Sequence, residues 1–199
     1  MVHVLAATQT FKAPYLDYHA LAPEIVLTGV ILVVLLVDLL VDETRKVLVT
    51  QLAGVGLLAS LIPIVSLAQK GITGHARGMF GGAYVVDTFS LVLKALFIAS
   101  GFVVLLMSTD YIGEGDYYEG EFSFLLLSSV LGMVVMCSAR DLISIFVALE
   151  LLSLPAYMLA GFRKRDLKSN EASLKYYLLG VLSSGLGPAT LSARAQLRL

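Results

Sequence analysis

Cysteine is nearly absent from this chain and charge is scarce. Cys137 is the single cysteine among 199 residues and lies inside an apolar run. Neither a disulfide framework nor a thiolate metal cluster can therefore form within it. The three histidines, His3, His19 and His75, are far apart and outside the apolar runs, and they read as solvated or interfacial. No P-loop, no G-x-G-x-x-G after a strand and no G-x-S-x-G elbow occurs, so soluble-enzyme chemistry has no foothold. A net charge of −1 offers no electrostatic argument for nucleic acid, and no nucleic-acid partner is expected. The first 24 residues, MVHVLAATQTFKAPYLDYHALAPE, have neither a basic n-region nor a small-residue cleavage site. Residues 1–20 read as a polar lead-in that is not removed, with Pro14, Tyr15 and Tyr18 suited to an interfacial approach.

What is present is apolar. Hydrophobic residues make up 58% and charged residues 15%, with a mean hydropathy of +0.87. Soluble domains are usually about 45–50% apolar and about 25% charged. Segments of alternating polar and apolar residues, the mark of a membrane β-barrel, are missing. The composition predicts an all-α, polytopic transmembrane helix bundle. Five complete spans are expected at 21–41, 47–69, 88–108, 122–139 and 142–162, with a sixth from 172 to 187 cut short. Each complete span has about 18 to 23 residues, enough to cross a hydrocarbon core of about 30 Å. Lys and Arg are weakly biased between the two sides: Arg45, Lys46, Arg163, Lys164, Arg165 and Lys168 against Lys12, Lys70, Arg77 and Arg140. That bias predicts a multi-pass protein with its N-terminus outside.

The charges inside the spans can be weighed singly. Glu150 lies eight residues, about 12 Å, beyond Leu142, too deep for a short side chain to reach the interface. A carboxylate there costs roughly 3 kcal/mol on insertion scales, so proton or ion handling is the leading reading. A protonated or paired packing carboxyl is the plain alternative. Pro155, five residues on, removes an N–H, frees the carbonyl of Leu151 and invites a bend. In a membrane that carbonyl needs a hydroxyl or a water, and Ser153 and Tyr157 are near enough in sequence to contribute. Lys94, about 9 Å into the third span, either snorkels to the interface or partners a buried carboxylate. Asp38, near the inner end of the first span, reads as water-facing.

Lys175 follows Glu171 by four residues, the order that suits a helical ion pair. It is either a surface pair or a lysine turned inward whose proton affinity follows a nearby carboxylate. Residues 70–87, rich in glycine, read as an irregular outer loop. Residues 110–121, DYIGEGDYYEGE, read as a solvated acidic turn rather than a calcium loop.

The stretch LELLSLPAYMLAGFRKRDLKSNEASLKYYLLGVLSSG resembles the fifth and sixth helices of subunit N of proton-pumping NADH–quinone oxidoreductase (complex I). This is an antiporter-like membrane subunit, related to components of multisubunit cation/proton antiporters. The resemblance rests on Leu149, Glu150, Leu151, Ser153, Leu154 and Pro155. It continues through Ser169, Glu171, Ala172, Leu174, Lys175 and Tyr176 to Gly180, Ser184 and Gly185. With ARDLISIFVALE and VDTFSLVLK it covers roughly residues 20–186. The resemblance implies that Glu150 and Lys175 are proton-transfer groups, with Lys94 and Pro155 as possible accessories. It also implies that the chain binds no redox cofactor of its own, while the parent complex uses NADH and quinone. The implied partners are other membrane subunits of complex I and the lipid bilayer, and the implied location is the bacterial plasma membrane.

The chain also departs from the family. Its relatives continue through further helices, two of them broken and each bearing a central lysine. After Gly187 the sequence here becomes PATLSARAQLRL. Pro188 is expected to stop the helix, leaving 188–199 as a divergent, disordered tail. The expectation is a truncated product, arising from a frameshift, premature stop or gene-model error near residue 187, with no complete transport pathway.

Overall fold

Backbone N–H and C=O groups inside a membrane must bond to one another, and a helix achieves this locally. The apolar runs fold accordingly. A computed structural model describes residues 16–41, 47–69, 76–113, 119–164 and 166–196. Six helices follow in chain order: α1 (Ala22–Leu40), α2 (Val47–Gln69), α3 (Thr88–Gly113), α4 (Glu119–Met136), α5 (Leu142–Ala160) and α6 (Leu167–Gln196). Two short strands, β1 (Arg77–Met79) and β2 (Tyr84–Val86), lie between α2 and α3. The chain is an all-α, polytopic membrane helix bundle with little strand.

α1 illustrates how the bundle sorts its faces. Pro23 lies in the first turn, where its missing N–H leaves no helical bond unmade. Leu27, Ile31 and Val34 are buried, at the spacing of one helix face. Leu32, Val33, Leu36 and Leu39 on the other side are exposed, an apolar surface suited to lipid. α4 is the central helix, packed against α1, α2, α3 and α5, while α6 packs on α5. The unbroken buried run from Leu125 to Val130 follows from that central position.

Several boundaries differ from the sequence expectation. Four helices (α1, α2, α3 and α5) are long and apolar enough to cross a membrane by length and composition, while the apolar part of α4, Gly120–Met136, is shorter. Five complete spans were expected. α4 begins at Glu119 and ends at Met136, about one turn before the expected 139, because 137–138 form a turn and Ala139 pairs with the hairpin. α6 starts at Leu167, earlier than expected, with Asp166 closing its first turn: the Lys168 N–H donates to Asp166 Oδ1 at 3.0 Å. It also continues past Pro188 to Gln196 rather than stopping there. A proline deletes one helical bond, and the good helix formers beyond it, including Ala189, Leu191 and Ala193, carry the helix on.

Within the stretch expected to be an irregular loop at 70–87, the described residues 76–87 form a regular hairpin. β1 and β2 pair antiparallel, with Met79 opposite Tyr84. The turn between them holds Gly81 and Gly82 at φ of 69 and 96°, a conformation that glycine supplies without steric cost, and Phe80 at 53°, which is rare for a bulky residue. The hairpin also reaches the α4–α5 turn. The Val85 N–H donates to the Ser138 carbonyl and the Arg140 N–H to the Ala83 carbonyl, each at 2.8 Å. Residues 70–75 and most of the lead-in, His3 and His75 among them, lie outside the described residues, as do 114–118 of the acidic turn. His19 is described and half-buried.

Candidate functional site

Glu150 occupies the middle of α5 and is half-buried, with no hydrogen-bond or ion-pair partner among the described residues. Immediately after it, α4 comes very close. A side chain at Gly132 would collide with the backbone of Leu151 and Leu152, so only glycine permits this approach. The Ser129 hydroxyl donates to the Leu152 carbonyl at 3.2 Å. Pro155 is buried within α5. The hydroxyl of Ser153 does not serve the carbonyl freed by Pro155 but donates to Leu149 on its own helix. Tyr157 packs edge-on against Tyr176 and Tyr177, with centroids 4.8 and 5.7 Å away.

α5 and α6 run antiparallel and are stitched by two hydroxyls. Ser169 donates to the Ala160 carbonyl at 3.2 Å and Ser173 to the Tyr157 carbonyl at 2.8 Å. The same register sets Lys175 level with Pro155, below Glu150 rather than beside it. Lys175 lies on the exposed face of α6, ion-paired with Glu171. The structure therefore does not pair Glu150 with Lys175.

Lys94 is another matter. It is fully buried (0% exposed) and does not snorkel. Its ammonium lies 2.6 Å from Oε1 of Glu24, which is 7% exposed. The Tyr84 hydroxyl donates to the same oxygen at 2.6 Å, and the Lys94 ammonium donates to the Tyr84 oxygen at 3.2 Å. Burial, reinforced by the Glu24 charge, holds the Tyr84 phenol well above its ordinary pKa, so it stays a neutral donor. Three elements converge here: the first turn of α1, the second turn of α3 and the hairpin. At the edge of this cluster Asp87 caps α3. Its Oδ1 accepts from the Ser90 N–H at 2.7 Å, the Ser90 hydroxyl accepts from its N–H at 2.9 Å, and Arg140 reaches its other oxygen at 3.0 Å. The Ser90 N–H chiefly, and then Arg140, hold the Asp87 carboxyl below its usual value against the opposing effect of burial.

Sequence reading missed Glu24, Tyr84 and Ser138. Glu24 carried a signal: it sits inside the first apolar run, one residue after Pro23, and a buried Lys94 needs a carboxylate. Tyr84 carried none, since a tyrosine in a glycine-rich stretch does not reveal a hairpin folded over an ion pair. Among the described residues no group of three or more His, Cys, Asp or Glu is placed to hold a metal.

A multi-pass membrane protein with titratable groups set inside its helices is the class that this fold and site define. The family described as NADH:quinone oxidoreductase/Mrp antiporter, TM matches residues 139–186, a segment containing both Glu150 and Lys175. The chain is 39% identical over 175 residues to NADH-quinone oxidoreductase subunit N 1 of Koribacter versatilis, covering 85% of this chain and 34% of that one. It is also 39% identical over 173 residues to the chloroplastic NAD(P)H-quinone oxidoreductase subunit 2 of Nephroselmis olivacea, again covering 85% and 34%. A chain of respiratory complex I from Thermus thermophilus with bound aureothin superposes with a TM-score of 0.63 at 28% identity, covering 82% of this chain and 34% of that one. The expected resemblance holds: along most of its length the chain is similar to subunit N of NADH–quinone oxidoreductase. It spans about a third of the length of the curated relatives it matches.

Proposed function

We propose that this chain supplies part of an antiporter-like membrane subunit that moves protons as NADH is oxidised and quinone reduced elsewhere in the complex. The observation that carries the reading is Glu150, a half-buried carboxylate with no partner among the described residues, in the helix that the family match covers. Pro155 and the close contact at Gly132 put a deformable backbone next to it. Lys175, level with Pro155, is the coupling partner. Its pair with Glu171 opens when α5 and α6 shift, and each charge in such a set alters the others' proton affinity.

On this reading the chain binds no cofactor of its own, and NADH and quinone belong to the parent complex. Its partners are the neighbouring membrane subunits and lipid, in a bacterial plasma membrane. The hairpin end faces out and the end bearing Arg163 and Lys164 faces in, as the excess of Lys and Arg favours. The test is Glu150→Gln in a full-length subunit assembled into its complex and reconstituted in vesicles. Assembly should be retained and NADH-driven proton transport lost; full transport by the variant would overturn the assignment.

The description of the matched family also names Mrp antiporters, which favours one second reading, a subunit of a cation/proton antiporter. Sodium-dependent proton exchange without NADH oxidation would select it. Co-purification with peripheral redox subunits would select complex I.

A further inference from the structure

The Glu24–Lys94–Tyr84 cluster lies outside the α5–α6 region and carries its own unsatisfied chemistry. Both donors of the network, the Lys94 ammonium and the Tyr84 hydroxyl, converge on Oε1 of Glu24. Oε2 of the same carboxylate is buried and has no hydrogen bond among the described residues. The Ser138 hydroxyl, 1% exposed, is also without a hydrogen bond among the described residues, although it stands beside the Tyr84 phenol closely enough to affect its ionisation. Leaving a buried polar group unpaired costs about 1–3 kcal/mol, and more for a charged one. Two such groups at the edge of one network share a simple remedy, a water molecule bonded to both.

We propose that Glu24, Lys94, Tyr84 and Ser138 form a second, hydrated proton-exchange site, independent of Glu150, in which a bound water bridges Glu24 Oε2 and Ser138 Oγ and the hairpin seals the site from the adjacent aqueous face. The exchange is balanced within the site. A proton passing from Lys94 Nζ to Glu24 along the 2.6 Å contact converts ammonium and carboxylate into amine and carboxylic acid, with no change in net charge. Rotation of the carboxyl then turns its O–H toward that water, which accepts the proton and passes it to solvent, and a proton returning along the same path restores the Lys94 ammonium. Tyr84 controls the route. Its phenol comes from the hairpin, which is tied to the α4–α5 turn by the Val85 N–H on the Ser138 carbonyl and the Arg140 N–H on the Ala83 carbonyl, and must let go of Glu24 for outside water to enter.

The test uses the whole chain, isotopically labelled and reconstituted in lipid bilayers, observed by solid-state NMR; it needs neither the parent complex nor NADH. In the wild type, magnetisation from water should reach the Glu24 carboxyl carbon. In Ser138→Ala that transfer should vanish while the Glu24–Lys94 contact persists, which also reports that the variant folds. In Tyr84→Phe, hydrogen–deuterium exchange of the Lys94 ammonium should accelerate about tenfold, as loss of one hydrogen bond to a charged group implies. A dry Glu24 in the wild type, water transfer retained in Ser138→Ala, or unchanged exchange in Tyr84→Phe would each overturn the proposal. If Tyr84→Phe loses its hairpin, the water transfer in the wild type and Ser138→Ala decides the matter alone. Failure of this site leaves the Glu150 reading untouched, because a different helix and a different assay carry it.

Discussion

The Lys94 ammonium lies 2.6 Å from the Glu24 carboxylate, so two residues from different helices meet beneath the hairpin as a buried ion pair. Tyr84 closes the pair from above and Ser138 flanks it. Burying two charges is unfavourable by several kcal/mol per ion, and their mutual attraction offsets this only while both are present. That asymmetry makes the pair testable.

Lys94→Met should destabilise the bundle by about 3–5 kcal/mol, because it strands the Glu24 carboxylate in an apolar interior. The double variant Glu24→Gln with Lys94→Met should recover most of that loss. Reversible unfolding in detergent, analysed as a double-mutant cycle, measures the coupling. A single variant as stable as the wild type would contradict the buried pair.

Asp87 should stabilise the start of α3 in a pH-dependent way. Its carboxyl is held below the ordinary range by the Ser90 N–H and Arg140. Its contribution is therefore present in full above the unfolded value of about 4 and is lost as pH falls through the lower folded value. Asp87→Ala should cost about 1 kcal/mol near neutral pH, the usual worth of such a cap. The gap between wild type and variant should close in strong acid, as thermal unfolding at a series of pH values would register.

Glycines 132 and 29 should respond in opposite ways. A methyl group at Gly132 meets the α5 backbone at Leu151 and Leu152, whereas one at Gly29 meets nothing within 4 Å. Gly132→Ala should destabilise by about 1–3 kcal/mol through overpacking and push α5 away from α4. Gly29→Ala, mid-helix in α1, should stabilise by up to about 1 kcal/mol through helix propensity. Parallel denaturation curves of the two variants give the comparison.

Glu150→Gln should leave the stability of this chain undiminished, since no partner of Glu150 is lost among the described residues. Together with the transport assay on a full-length subunit, this separates a working carboxylate from a structural one. A large loss of stability would mean that Glu150 holds the fold instead.

The apolar runs at 21–41, 47–69 and 88–108 announced α1, α2 and α3 because helix formation in an apolar setting is a local matter: each backbone group finds its partner four residues away. Glu150 was legible for a similar reason, since depth along a single helix follows from residue count alone. The ambiguity at Lys94 could not be resolved that way. Whether a lysine reaches water or meets a carboxylate depends on what covers it, and the cover here is a hairpin whose strands pair only once 77–79 and 84–86 lie together.

Sequence by itself determined that this chain is a membrane helix bundle similar to subunit N, and that Glu150 and Pro155 share one helix. Only the tertiary structure decided that Lys94 belongs to Glu24 and Tyr84, that Lys175 belongs to Glu171, and that Gly132 sets the closeness of α4 to α5. The physical reason is range. Propensity and hydropathy act over a few residues, whereas the choice of partner for a buried charge or a close backbone contact is made between segments far apart in the chain, after the helices have packed.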